Sequence, residues 1–305
     1  MPCDQDGRAM LPADREVPDW FRDALARGPR ERRIPVKGTD IEVLEWGDGP
    51  GPGVLLMHGH GAHADWWRPI APYLVEAAGR VVAFSCSGMG GSGWRAAYDM
   101  ETFGEEVSAI GLSTGLIGAG RKPFLIAHSF GCLPTMIAAQ RHAEAIAGVA
   151  LIDMYLPVPG RVAARPQPRK ARRYETLEQA LGRFRLSPEQ DCPNPFLVDY
   201  VAHRTLRHVG GSDPHWTWCT DPAATIQVVH DEHRARLASL EVPLTILRGE
   251  CSRLVDRDVA AFARTIAPPG TRFVDIPEAD HHVLLDQPLA LAAALRTLIA
   301  FGGDK

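Results

Sequence analysis

Apolar runs of strand length recur along the chain, each bounded by Gly, Pro or Asp. The first two, at 33–36 and 41–46, alternate apolar with polar residues, which is typical of an antiparallel hairpin. The later runs are continuously apolar, as in strands buried on both faces of a parallel sheet; they lie at 53–58, 80–84, 123–127, 148–154, 243–248 and 272–276. Helical patterns separate them, for example at 102–111, 133–142 and 289–300. This alternation predicts an α/β fold with a doubly wound, mostly parallel eight-stranded sheet.

One stretch breaks this rhythm. About 90 residues separate Asp153 from the next strand, and they carry helical patterns at 177–184, 196–207 and 224–240. A structureless loop of that length is improbable, so we predict an inserted helical cap. The predicted division is an N-terminal extension (1–30), a first core part (31–153), the cap (154–238) and a second core part (239–305). The Arg- and Pro-rich segment 161–173 is interpreted as an exposed hinge or, alternatively, as an entrance that attracts anions.

Composition narrows the function classes. The 305 residues are 45% hydrophobic and 23% charged, enough to form a sizeable core. A net charge of −4 gives no support for binding to nucleic acid or to a membrane surface. No apolar run is long enough to span a bilayer, and the N-terminus does not resemble a signal peptide. Six scattered cysteines without a CxxC pair indicate reduced thiols, so we expect a cytoplasmic protein; the oligomeric state stays open.

The most informative segment is Ala-His-Ser-Phe-Gly at 127–131, between a predicted strand and a predicted helix. This is the pattern of a nucleophile elbow, in which a sharp turn projects the serine hydroxyl above the sheet. Small neighbours are needed because the backbones of strand and helix nearly touch there, and Ala127 meets that need. Ser129 is therefore the candidate nucleophile, with an ordinary turn serine as the alternative.

A second loop offers hydrogen-bond donors. The buried strand at 54–57 runs into His58-Gly59-His60-Gly61, where an acyl-transfer enzyme supplies one N–H of its oxyanion hole. The candidate donors are the backbone amides of His60 and Phe130. The alternative is a metal cluster of His58, His60 and His63. It is disfavoured because no carboxylate or cysteine stands at ligand spacing, and no metal site is predicted.

A histidine after the last strand is the expected general base, because the pKa of imidazole suits proton transfer at neutral pH. The sequence offers His281 and His282 there. Together with Ser-Gly-Met-Gly-Gly-Ser at 87–92, these motifs resemble the α/β-hydrolase superfamily, in the capped branch that also holds haloalkane dehalogenases, epoxide hydrolases and many esterases. The resemblance runs from about residue 33 to 301 and implies the α/β-hydrolase fold. Family spacing selects His281, five positions before Asp286; for His282 a packing or loop-stabilising role is favoured.

The acid departs from the commonest family pattern. Relatives usually carry it after the seventh strand, where this chain has Ser252 at the expected position. A variant within the same branch places the carboxylate at the end of the sixth strand, and Asp153 fits that variant. The resemblance then implies that Asp153 holds the tautomer of His281. A turn-forming role for Asp153 is the alternative, with Glu250 and Asp256 as fallback acids.

The nucleophile decides the reaction class. Dehalogenases and epoxide hydrolases of this superfamily need a carboxylate where this chain has Ser129, so both activities are disfavoured. We predict hydrolysis of a small-molecule carboxylic ester or lactone through an acyl-enzyme, without a cofactor. The alternatives are a carbon–carbon bond hydrolase of the same fold and a slow-turnover ligand-binding relative. Trp66, Trp67, Trp216 and Trp218 are predicted to line an apolar substrate pocket, with ordinary core packing as the alternative.

Overall fold

The structure is a computed structural model that describes residues 3–12, 15–118, 120–161, 170–226 and 228–302. Most of the predicted hinge at 161–173 therefore lies outside the described residues. The strands are β1 (Arg30–Val36), β2 (Thr39–Trp46), β3 (Val54–Met57), β4 (Val81–Phe84), β5 (Phe124–His128), β6 (Gly148–Ile152), β7 (Leu206–Val209), β8 (His215–Trp218), β9 (Leu244–Gly249) and β10 (Arg272–Ile276).

Eight of these strands form one sheet in the order β1-β2-β4-β3-β5-β6-β9-β10. β1 pairs with β2, and β2 with β4, in antiparallel orientation, whereas the other neighbours are parallel. The predicted mostly parallel eight-stranded sheet is therefore confirmed. Its parallel strands end along one edge, which places the loops after β3, β5, β6, β9 and β10 beside one another.

The continuous apolar runs are explained by a core on each face of this sheet. Along β3, Leu55 and Met57 join one buried cluster, while Val54 and Leu56 join the other. Successive side chains of a strand point to opposite faces, so a strand covered on both sides needs apolar residues at every position.

The helices are α1 (Asp19–Ala26), α2 (Ala71–Ala78), α3 (Met100–Ser113), α4 (Cys132–Arg141), α5 (Leu177–Leu181), α6 (Pro195–Arg204), α7 (His230–Ala238), α8 (Arg257–Ile266), α9 (Val283–Asp286) and α10 (Pro288–Phe301). Apolar side chains of α2 and α10 pack on one face of the sheet, and those of α3, α4 and α7 on the other. Several helix starts follow from capping residues: Asp99, Thr176 and Asp256 accept hydrogen bonds from the first-turn amides of α3, α5 and α8.

The insertion between β6 and β9 differs from the predicted purely helical cap. Besides α5 and α6 it contains an antiparallel hairpin of β7 and β8. The sequence pattern extended a helix into β7, because its apolar positions continue those of α6. The structure also differs at the far boundary: Leu237 and Leu240, in and after α7, belong to the sheet-side cluster, so α7 packs on the core.

The N-terminal extension packs on the cap. Gly7 accepts a hydrogen bond from the His208 amide, and the Ala9 amide donates to Leu206, which adds this segment to the edge of the cap hairpin. Phe21 of α1 lies in a cluster with Tyr200 and Val201 of α6.

Charged groups also hold the N-terminal extension to the core and the cap. Arg8 is 1% exposed, and its guanidinium lies 2.6 Å from Glu42 and 3.1 Å from Asp65. Arg204 of the cap lies 3.0 Å from the same carboxylate, and Arg68 also contacts it. We call Arg8, Glu42, Asp65, Arg68 and Arg204 the junction cluster. It joins extension, core and cap through buried ion pairs.

Within the described part of the chain, the helices include none with both the length and the apolar character needed to cross a lipid bilayer.

Candidate active site

Ser129 stands in a turn between β5 and α4. Its φ is 54°, a left-handed conformation that residues with a side chain seldom adopt. A short 3₁₀ turn over Ser129–Gly131 leads into the helix. At Gly131 an added Cβ would lie 2.3 Å from the carbonyl oxygen of His58, so only glycine fits. These features are those of the predicted elbow: strand and helix meet so closely that the serine is pushed out of the sheet.

The loop after β3 lies beside this turn. The rings of His60 and Phe130 are edge to face, with centroids 5.6 Å apart, so the structure brings the two candidate oxyanion residues together. His58 uses both ring nitrogens locally: Nδ1 donates to the Gly59 carbonyl at 2.8 Å, and Nε2 accepts from the Cys86 amide at 3.0 Å. Burial lowers the pKa of His58 to about 4. His58 therefore acts as a neutral brace for the loop, and not as part of the alternative metal cluster.

Asp153 follows β6 directly. It has a φ of 47° and is fully buried. Its Oδ1 accepts from the Gly249 amide at 2.9 Å, and its Oδ2 accepts from the Ser252 hydroxyl at 2.8 Å. The same Oδ2 lies 2.7 Å from Nδ1 of His281. Each oxygen of the carboxylate thus accepts from one neutral donor, and Oδ2 also faces the histidine.

The fallback acids lie elsewhere. Glu250 is exposed, and its carboxylate accepts from the Glu278 amide at 3.3 Å. Asp256 caps α8, accepting from the Asp258 and Val259 amides. The Val259 amide, the largest cause, together with Arg161 lowers the pKa of Asp256. Neither carboxylate is placed beside His281.

The loop that carries His281 is held by close backbone contacts. At Gly249 an added Cβ would lie 2.3 Å from the Asp280 carbonyl oxygen, so the end of β9 and this loop touch. His128, one position before Ser129, donates from Nε2 to the His281 carbonyl at 2.9 Å. The Gln190 side chain of the cap accepts from the His282 amide and donates to Asp286. Elbow, sheet and cap therefore all fix the position of the candidate base.

Three histidines meet at this point. The ring centroids of His128 and His281, and of His281 and His282, are each 4.9 Å apart. Burial, followed by the neighbouring His281, lowers the pKa of His282 to about 3 and holds the pKa of His128 well below its usual range. Both rings are consequently neutral near pH 7. The predicted packing role of His282 is compatible with its burial, but the sequence did not predict that the three rings would gather.

Ser129 and His281 line one cavity of about 1210 Å³ between core and cap. That volume exceeds the range of roughly 300–1,000 Å³ typical of small-molecule pockets. Core residues His60, Trp66 and His282 contribute to its wall, and the cap contributes Lys170, Arg172, Arg183, Phe184, Arg185, Leu186, Thr205, Trp218 and Asp221, among others. The cap therefore covers the edge of the sheet at which the parallel strands end.

The four predicted pocket tryptophans divide evenly. Trp66 and Trp218 line the cavity. Trp67 does not: it is fully buried in the core cluster on the α2 and α10 face of the sheet. Trp216 pairs with Tyr174 through the backbone, lies near the ring of His208 and packs on a small buried cluster that includes Leu177 and Leu206. The prediction is thus wrong for Trp67 and Trp216. Trp67 follows Trp66 in a short 3₁₀ turn, where adjacent side chains point apart, whereas Trp216 shares one face of β8 with Trp218 but does not reach the cavity. Trp94, which the sequence analysis did not single out, lines the cavity.

Two further contacts were missed from the sequence. Ser252 was read only as the position where an acid is absent, yet its hydroxyl donates to Asp153. His128 was given no role, yet its ring donates to the backbone carbonyl of His281 and so supports the loop that carries this residue. The signal for Ser252 was present: a hydroxyl at the usual acid position can hold a carboxylate delivered by the neighbouring strand.

Comparisons with known proteins agree with this architecture. The sequence model of the alpha/beta hydrolase family matches residues 54–294. Esterase Rv0045c of Mycobacterium tuberculosis is 26% identical over 299 residues, covering 90% of this chain and 92% of the relative. Its crystal structure has a TM-score of 0.70 at 21% identity, over 92% of this chain and 95% of that one.

Two other proteins show further similarity. Epoxide hydrolase A of Mycobacterium tuberculosis is 32% identical over 129 residues, so the match spans only 41% of this chain and 39% of that enzyme. A thioesterase domain from the curacin biosynthetic pathway has a TM-score of 0.70 at 20% identity, over 89% of this chain and 99% of that domain, and shows the fold alone. The family match covers most of the chain, which therefore belongs to the alpha/beta hydrolase family, and its relatives support a hydrolase.

Proposed function

We propose that this protein hydrolyses carboxylic esters or lactones through an acyl-enzyme on Ser129, with His281 as general base and Asp153 as the acid that orients it. The observation that carries the proposal is the 2.7 Å contact between His281 Nδ1 and Asp153 Oδ2, in the wall of the cavity that Ser129 also lines. A strained elbow serine and a histidine backed by a buried carboxylate form the arrangement that acyl transfer requires.

The proton path follows from the hydrogen bonds. Because Asp153 Oδ2 accepts a hydrogen bond from Nδ1 of His281, the imidazole ring keeps its proton on Nδ1 and has its lone pair on Nε2. In the proposed mechanism that lone pair takes the proton of Ser129 as the hydroxyl attacks the carbonyl carbon. His281 then gives this proton to the leaving group, which departs. In the second half His281 takes a proton from water as the water attacks the acyl carbon, and it returns that proton to the Ser129 oxygen when the acid product leaves. The backbone amides of His60 and Phe130 would hold the oxyanion, at about 3–4 kcal/mol for each donor.

A serine at the elbow separates this proposal from epoxide opening. When a carboxylate nucleophile attacks the saturated carbon of an epoxide, the product is an ester between enzyme and substrate. Water can then hydrolyse that ester. An alkoxide from Ser129 would form a stable ether with such a substrate and stop. The partial match to an epoxide hydrolase therefore supports the shared scaffold, and the residue at position 129 supports carbonyl substrates.

The proposal is tested with a fluorophosphonate probe and a substrate panel on the full chain. We expect the probe to label one serine, and nitrophenyl esters of short acids to be hydrolysed; simple lactones, a diketone and styrene oxide complete the panel. Ser129→Ala should abolish labelling and lower kcat on the order of 10⁶-fold. Ser113→Ala, at the exposed end of α3, is the matched control and should behave as the parent.

The outcomes separate the alternatives. Labelling that persists in Ser129→Ala would refute the assigned nucleophile. Turnover of the diketone with inert esters would replace ester hydrolysis by carbon–carbon cleavage, and opening of styrene oxide would contradict the argument from the serine. A labelled protein that turns over none of the panel would refute ester and lactone hydrolysis by this site.

A further inference from the structure

The base of the proposed mechanism is flanked by two histidines that the mechanism does not use. One nitrogen from each of His128, His281 and His282 can be chosen so that all three lie within 4.8 Å of one another. All three rings are buried, and all three line the cavity beside Ser129. A row of imidazoles on the wall of an open cavity differs from a packed core cluster, because a small ion can reach it from solvent.

The hydrogen bonds assign a lone pair to each ring. His281 gives Nδ1 to Asp153 and so presents Nε2. His128 donates from Nε2 to a carbonyl, which leaves the lone pair on Nδ1. His282 is 4% exposed; its Nε2 lies 3.3 Å from the Pro188 carbonyl, and its Nδ1 is buried without a hydrogen-bond partner among the described residues. An orphaned buried nitrogen costs free energy unless something binds it.

From this arrangement we infer that His128, His281 and His282 form an inhibitory site for a late first-row transition-metal ion such as Zn²⁺. Imidazole nitrogens suit Zn²⁺, Co²⁺, Ni²⁺ and Cu²⁺. With Zn–N bonds of about 2.0–2.1 Å, tetrahedral geometry sets the nitrogens about 3.3 Å apart. The three nitrogens, which lie within 4.8 Å of one another, must therefore move closer together when a metal binds.

Inhibition follows from the shared lone pair. A metal on Nε2 of His281 occupies the electron pair that accepts the Ser129 proton, so the bound protein has no base. The metal also fills the space next to the nucleophile. The inhibition rests on the proposed function, whereas the binding of the metal does not, and the two are measured separately.

Binding is measured by titrating ZnCl₂ into the full chain in a calorimeter, and by the visible absorption of Co²⁺ in the same protein. We expect one ion per chain and the intense bands of tetrahedral Co²⁺. His282→Gln and His128→Gln should each weaken binding at least tenfold, because glutamine can keep the hydrogen bond to the facing carbonyl but offers no imidazole nitrogen. Two variants are used so that one misfolded protein does not decide the result, and folding is checked by circular dichroism.

His233→Gln is the matched control. His233 is also buried and also has an Nδ1 without a partner among the described residues, but it lies on α7, outside the cluster of three rings. Its replacement should leave metal affinity unchanged. Wild-type affinity in both cluster variants, or a loss of affinity in His233→Gln, would overturn the site.

Hydrolysis of a nitrophenyl ester is then followed as ZnCl₂ is added, with MgCl₂ as the comparison, since Mg²⁺ prefers oxygen ligands. We expect Zn²⁺ but not Mg²⁺ to inhibit, EDTA to restore activity, and the inhibition constant to follow the calorimetric affinity across the variants. A chain that binds zinc as described but hydrolyses no ester would refute the proposed function and leave the metal site standing. A chain that hydrolyses esters at full rate with zinc bound would refute the inhibition.

Discussion

Two carboxylates of this chain, Asp65 and Asp153, are both fully buried, but the groups around them differ in kind. Asp65 faces the guanidinium groups of Arg8, Arg68 and Arg204 in the junction cluster. Burial alone would raise the pKa of Asp65, but these three charges outweigh it and hold that pKa well below its usual range. Asp153 instead faces an amide, a hydroxyl and the ring of His281.

This difference separates a structural centre from the proposed reactive centre. Three guanidinium groups compensate the charge of Asp65 permanently. Asp65 therefore stays ionised and holds three parts of the chain together. The partner of Asp153 becomes positive only when His281 takes up a proton, so in the proposed mechanism the Asp153 carboxylate stabilises a state that the reaction must pass through. Replacing each acid by its isosteric amide should therefore damage the protein in different ways.

Asp153→Asn should have the larger effect, and on catalysis. The amide keeps the shape of the side chain but favours the wrong tautomer of His281, which costs about 10⁴ in kcat in a well-studied triad. Stopped-flow and steady-state kinetics of nitrophenyl ester hydrolysis measure this loss. Asp256→Asn is the control, because Asn caps a helix as well as Asp does, and it should be nearly silent. Loss of activity in Asp256→Asn with activity retained in Asp153→Asn would move the acid to the segment after β9.

Asp65→Asn should act on stability. It leaves buried guanidinium groups short of a counter-charge, which typically costs 3–5 kcal/mol in the free energy of unfolding. Urea denaturation followed by fluorescence measures the change, and activity per folded molecule should be retained. Asp213→Asn is the control and breaks an ion pair with Arg173. The two side chains are 68% (Asp213) and 57% (Arg173) exposed, so the expected cost in the free energy of unfolding is under about 1 kcal/mol. Equal costs for the two variants would contradict the structural role of the junction cluster.

Ser252→Ala should weaken the reactive centre without removing it. The variant deletes one of the two neutral donors to Asp153, and a hydrogen bond to a charged group contributes about 1.5–3 kcal/mol. We expect kcat to fall roughly 10- to 100-fold with KM little changed. Ser252→Thr keeps the hydroxyl and should recover most of the rate; failure of that recovery would indicate that packing, and not the hydroxyl, is what matters at this position.

His63→Gln, beside the junction cluster, should change how the free energy of unfolding depends on pH. His63 lies 3.7 Å from Asp65, yet burial, aided by Arg8, lowers its pKa from 6.5 to about 3. Below pH 6.5 the unfolded chain takes up a proton there and the folded chain does not, so stability falls as the pH drops towards 3. Each such histidine contributes up to about 1.4 kcal/mol per pH unit. Urea midpoints between pH 7 and 4 should therefore show a shallower slope in His63→Gln, and an unchanged slope would mean that His63 is protonated in the folded state.

Local patterns predicted much of the candidate site. The elbow is one short segment in which strand, turn and helix fix Ser129, and the alternation of apolar runs sufficed for the eight-stranded sheet. Asp153 could be nominated because it follows the sixth strand, where a variant of the resembled family carries its acid. Its contact with His281 joins residues 128 positions apart, and only the fold brings them together.

Other features depend on packing that no local pattern records. Trp66 and Trp67 are adjacent and identical, yet one lines the cavity and the other is buried in the core, since a short 3₁₀ turn points them apart. The hairpin of β7 and β8 was missed because its strands are only four residues long and β7 directly follows α6. The junction cluster was not predicted either, because its members come from positions 8 to 204 and each looks like a surface charge when taken alone.

Asp153 is also the residue at which the chain leaves the sheet for the cap. Anyone who exchanges the cap of this protein for that of a relative must therefore choose on which side of position 153 to cut. A graft that begins at 154 keeps the carboxylate with the strand and with the Gly249 and Ser252 donors that hold it. A graft that begins at 153 imports whatever residue the donor cap carries there, while the hydroxyl of Ser252 stays behind. The choice between these two positions thus decides whether a chimaera keeps the proposed acid of its host or depends on the residue that the donor supplies.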